Sequence, residues 1–208
     1  MITALLLIFA PAATWERIYR ARRSLVFVLV AYLLPLLVLA SAVEGYGLVH
    51  WDRVQGELER LKRFSVGETV LFEFAQILLW LLVVFVGALL LKSMGETFHG
   101  RHTYTQAFRA VAYGLGPLFL FRMLNAFPAI SPWVSWAIGI IFSMGVMYQG
   151  VPRMMEPDPP HAIGLYFMTS LLLFFISGLV TYVIVCYLQG KFPQIQSFIS
   201  GLAARLPF

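Results

Sequence analysis

Arg122 is the one full charge inside a set of long apolar stretches, and Asn125 follows it three residues later on the same helical face. A guanidinium within an apolar segment is either held by a partner or used. No carboxylate falls inside the stretches to hold it, and Glu73 only borders the second. The expectation is therefore that Arg122 snorkels toward the polar boundary or makes a structural hydrogen bond, with Asn125 sharing it. Binding of a substrate or a lipid phosphate is the alternative.

Other residues with chemical potential lie outside the apolar stretches. Arg17, Arg20, Arg22 and Arg23 form a basic cluster suited to anionic lipid. His99 and His102, with Glu96 nearby, would share a face with Glu156, Asp158 and His161. Imidazole and carboxylate together suit zinc or manganese. Arg101 between the histidines opposes a cation, and a solvated polar loop is the simpler reading, so no metal or other cofactor is expected. There is no G-x-S-x-G elbow, no phosphate-cradling glycine loop and no H-E-x-x-H, and no histidine in the apolar stretches to activate their serines. No enzymatic activity is expected.

Five elements must position these residues. The stretches run approximately over Ser24–Val43, Phe74–Leu91, Ala110–Phe127, Trp133–Val151 and Ile163–Leu188, between 18 and 26 residues each. A membrane-crossing helix needs about 20 apolar residues. The chain is 60% hydrophobic and 12% charged, against about a quarter charged in soluble domains. The reading is an all-α membrane protein, a five-span helical bundle forming a single domain over residues 1–208. The net charge of +5 fits lipid headgroups and gives no reason to expect nucleic acid. The single cysteine, Cys186, excludes a disulfide framework.

Met1–Ala13 reads as a short interfacial or re-entrant helix lying against the bundle, because its apolar run is short and its arginines follow it instead of preceding it. The arginine cluster then keeps the N-terminus cytoplasmic and, with five spans, places the C-terminus outside. Within the longest connection, residues 51–64 place Trp51, Val54, Leu58, Leu61 and Phe64 on one stripe, which predicts an amphipathic helix in the headgroup plane. Pro128 and Pro132 predict a tight hairpin between the third and fourth spans. Four prolines between residues 152 and 160 predict a stiff, non-helical connector. Gly114, Gly116 and Pro117 interrupt the third span, and Gly139, Ser143 and Gly145 suggest packing seams in the fourth. Gln76 is expected to bond across helices.

Four segments carry a family resemblance: L-I-F-A-P-A-A-T-W-E-R-I (7–18), T-Y-T-Q-A-F-R-A-V-A-Y-G-L-G-P (103–117), M-Y-Q-G-V-P (147–152) and the closing fifth span. Tyr113 and Pro117 fall at tyrosine-x-x-x-proline spacing. In this order the segments resemble the Yip (Ypt-interacting protein) membrane family in its short bacterial form. The resemblance implies five spans and a cytoplasmic N-terminus. Eukaryotic relatives act in membrane traffic and associate with Rab-type GTPases and with each other. This chain has only about 23 residues before its first span and lacks their aspartate-leucine-tyrosine-glycine-proline motif, so a GTPase partner is not carried over. The expected role is non-enzymatic work in a bacterial inner membrane through lipids, other membrane proteins or a second copy. The alternative is a small-solute or ion transporter whose broken third span faces Tyr148 and Gln149; metal binding is the third reading.

Overall fold

Each apolar stretch folds as a helical span, one of them broken, since in lipid every backbone N–H and C=O must find a partner within the protein. The computed structural model describes residues 2–50, 64–97, 103–157 and 161–204. Within them the five spans are Leu25–His50, Val66–Thr97, Tyr104–Ala126, Pro132–Met155 and Ala162–Leu188. The shortest has 23 residues, or about 35 Å at 1.5 Å per residue, enough for a hydrocarbon core of about 30 Å. Leu78, Leu82, Ile141, Phe175 and Leu179 are exposed on its flanks, the side chains expected to meet acyl chains.

All five spans are longer than the sequence indicated, the second most of all. The first runs seven residues past Val43 and the second begins eight before Phe74. At these two ends the reason is shared: Glu44, Glu68 and Glu73, which border the apolar runs, are buried inside the helices.

The first span comprises α3 (Leu25–Val28), a π-helical turn (Leu29–Leu33) and α4 (Leu34–His50). Pro35 lies just beyond the wide turn. It has no N–H to give to Ala31 and its ring crowds that carbonyl, a defect that a π turn accommodates. The turn leaves Tyr32 buried against Tyr113, ring centroids 4.3 Å apart. The second span is α5 (Val66–Thr97). The third, the most buried, is broken as expected into α6 (Tyr104–Gly114) and α7 (Gly116–Arg122), closing in a 3-10 turn (Met123–Ala126). Thr103 and Gln106 form a capping box at its start.

The proline hairpin is also present. Pro132 opens α8 (Pro132–Met155), and the Ser131 hydroxyl accepts from the Trp133 N–H. The proline connector begins later than its sequence suggests, because α8 runs through Pro152 and ends at Glu156 in the left-handed region (φ 40°). The fifth span is α9 (Ala162–Leu188).

At the N-terminus two helices stand where one was expected. They are α1 (Ile2–Phe9) and α2 (Pro11–Ala21), with Ala4, Leu7 and Trp15 fully buried against the bundle. The Trp15 indole N–H donates to the Val146 carbonyl at 2.9 Å, and a Cβ on Gly150 would lie 2.2 Å from the indole ring. The expected amphipathic helix over 51–64 lies outside the described residues except for Phe64, which packs on Phe72 and Tyr187. Past the fifth span lies α10 (Pro193–Ala203), which the sequence reading missed. It rests on the start of α5 at Gly67 and exposes Ile195, Phe198 and Leu202.

Of the small residues, Gly139 approaches the Leu118 backbone, whereas Gly145 faces open space. The tightest helix crossing is at Gly47, where an added Cβ would lie 2.2 Å from the Ala126 carbonyl oxygen. Gly47→Ala should therefore destabilise the bundle by about 1–3 kcal/mol, while Gly145→Ala should leave it unchanged or slightly firmer. Thermal unfolding of both variants in detergent checks this; equal melting temperatures would refute the close crossing.

Candidate functional site

Three spans each carry a polar pair at i, i+3: Ser41 and Glu44, Glu73 and Gln76, Arg122 and Asn125. That spacing puts both members on one helix face, and packing brings the three faces together. Arg122 Nε donates to Glu44 Oε2 at 2.7 Å, and its Nη2 donates to Glu73 Oε2 at 2.7 Å and to the Ser41 hydroxyl at 3.0 Å. Asn125 Nδ2 donates to Glu44 Oε1 at 3.3 Å. Glu44 is fully buried, and the Arg122 side chain is 5% exposed.

The snorkelling expectation for Arg122 is thus overturned, as is the absence of a carboxylate partner. The guanidinium fork points inward and ties the first three spans together at one depth. Glu73, expected at the interface, is a buried member of the cluster. The shared i, i+3 spacing was the sequence signal that could have revealed it.

Beside the cluster lies a small cavity, about 20 Å³ for water centres, lined by Gln76, Trp80, Arg122, Asn125 and Ser135 among others. Gln76 makes no cross-helix bond: both its amide atoms, the Trp80 indole N–H, Arg122 Nη1 and the Ser135 hydroxyl are buried without protein partners. Such a space holds about one water, which has the two to four polar partners it needs.

The break at Pro117 is repaired locally. The Leu118 N–H, at the opened start of α7, donates to the Ser143 hydroxyl of α8 at 3.1 Å. Tyr113 is buried between Tyr32 and Trp15. Tyr148 and Gln149 do not complete a polar face with it. Tyr148 is exposed and packs edge-on against Tyr166, and Gln149 is half-buried with its carbonyl oxygen unpartnered.

The four basic residues lie together at the opposite end of the bundle. Arg20 pairs with Glu16 at 2.7 Å, Arg22 ends α2 in the left-handed region (φ 41°), and Arg23 lies over the Phe27 ring at 4.4 Å. Arg17 faces a cleft shared with Arg23, Arg109 and Tyr113. Tyr19 donates to Glu156, and that hydrogen bond, with the carboxylate charge, pushes the exposed phenol above its ordinary pKa. His99, His102 and Asp158 lie outside the described residues; His161 stands at the start of α9.

Five apolar helices around a buried ion cluster define a polytopic α-helical membrane protein. A family model, the Yip1 domain, matches residues 5–182, and the chain belongs to that family. No curated protein and no solved structure matches it.

The cluster sets one cation against two carboxyl groups, which makes the substitutions unequal. Arg122→Leu strands both carboxyls and should cost about 3–5 kcal/mol. Glu73→Gln leaves Arg122 with Glu44 and should cost about 1 kcal/mol. Denaturation midpoints in detergent read the difference; equal losses would show that Arg122 is not the member on which the cluster depends.

Proposed function

We propose that this chain is a non-enzymatic protein of a bacterial inner membrane that organises the bilayer through lipid contacts, with its N-terminus cytoplasmic. The observation that carries the reading is the docked N-terminal pair of helices. Buried Trp15 and its bond to Val146 fix α2 on the bundle, so Arg17, Arg20, Arg22 and Arg23 form a rigid basic collar. A polybasic segment of this kind gains about 1 kcal/mol per residue near an anionic leaflet. At the other end α10 offers Ile195, Phe198 and Leu202 to the opposite interface. Elements seated in both leaflets bias curvature and give other membrane proteins, or a second copy, a defined lipid neighbourhood.

A second reading, a small-solute transporter, draws on the unpartnered polar atoms around Arg122 and on the broken third span. Against it stands the Ser143 bond, which closes the break into the neighbouring helix.

The test is reconstitution into vesicles with and without phosphatidylglycerol. Replacing Arg17, Arg20, Arg22 and Arg23 together by Gln should abolish the preference for anionic vesicles and any change in their shape. Unchanged preference and shape would refute the organising role. Solute flux that Arg122→Ala removes would favour the transporter instead.

A further inference from the structure

At the collar end, α1, α2 and α6 enclose a cleft of about 60 Å³. Arg17 and Arg23 enter it from either side of the α2 terminus, Arg109 from α6 within the third span, and Thr14 and Tyr113 add hydroxyl-bearing walls. Leu6 and Ile18 make the remainder apolar. Arg109 is the informative residue. It lies five residues into a membrane-crossing helix, and its Nε is buried with no hydrogen-bond partner among the described residues.

The ion pairs among the described residues leave Arg17, Arg23 and Arg109 out. The nearby carboxylates are already engaged, Glu16 by Arg20 and Glu156 by Tyr19. Three guanidiniums around one cleft repel one another unless an anion joins them, and a guanidinium fork matches phosphate oxygens in pairs. The cleft's depth, at the start of the first and third spans, is that of a phospholipid phosphate, and its apolar wall suits the glycerol and first methylenes.

We propose that Arg17, Arg23 and Arg109 form a specific binding site for a phosphate group, that of an anionic phospholipid headgroup or free phosphate. The inference deepens the lipid-contact reading by naming a site and shares its premise that the basic end meets lipid. It differs in kind from the collar: Arg20, which faces solvent and Glu16, has no part in it.

The test uses the full chain in neutral detergent and monomeric ligands, so that no bilayer effect enters. Dihexanoyl-phosphatidylglycerol, inorganic phosphate and phosphate-free dihexanoylglycerol are titrated calorimetrically. The anionic lipid should bind saturably, and Arg109→Gln and Arg17→Gln should each weaken it about tenfold, with Arg20→Gln within about twofold of the unmodified chain. Arg17 lies on α2 outside the spans, so its variant reads the site even where Arg109→Gln fails to fold, and Arg109→Lys tests the fork with the charge kept. Inorganic phosphate binding as tightly with the same arginine dependence supports the site and assigns it to free phosphate. Equal loss in Arg20→Gln, no loss in Arg17→Gln, or equal binding of dihexanoylglycerol overturns it. The collar role is judged separately, on bilayers, so either idea can fail alone.

Discussion

One guanidinium organises half of this bundle. Lipid tails are as apolar as leucine, so helices in a membrane gain little from burying apolar surface against one another. Association must come from close packing and from polar groups with nowhere else to go. Arg122 supplies the second kind of contact to two neighbouring helices at once, through Glu44 and Glu73. Its position at the end of α7 fixes the first three spans in depth and rotation. The crossing at Gly47 against Ala126 lies one turn from Glu44 and uses the same alignment. Slipping either helix by a turn would break the charge contacts and drive a backbone carbonyl into a neighbour.

The two ends of the molecule divide the work. At the cluster end, charge is turned inward, and α10 exposes Ile195, Phe198 and Leu202 beside Gln194 and Ser197. At the other end, the arginines face outward or into a cleft, and Trp15 supplies the anchoring. The chain thus has a structural polar site and a recognition-type polar site, separated by the apolar length of the third span. Both stand on that span, which explains why it is the most buried and the least hydropathic of the five.

The sequence made the spans legible because apolar runs of that length have few other uses. The hairpin at Pro132 and the break at Pro117 were legible because each proline opens a helix, whereas Pro152 lies inside α8 and marks no boundary. The charge cluster was not, for a reason that recurs in membrane chains: Glu44 and Glu73 were used to mark where helices end. A carboxylate beside an apolar run looks the same whether it caps the run or lies buried within it. Only the partner distinguishes the two, and the partner is 78 residues away for Glu44 and 49 for Glu73. Tyr148 failed differently, since its face depends on how the fourth span is rotated. Helix α10 escaped notice because its apolar residues are few and interleaved with Gln and Ser.

The bond from Trp15 to Val146 also imposes an order of events. Its partners are 131 residues apart, roughly 7 to 26 s of synthesis at 5–20 residues per second. Throughout that interval the first helices emerge and the first three spans enter the membrane, yet Gly150 and its neighbouring carbonyl do not exist. The bond that anchors α2 cannot form until the fourth span arrives. The anchored collar is thus a late feature of the chain, completed only when the fourth helix supplies the Val146 carbonyl.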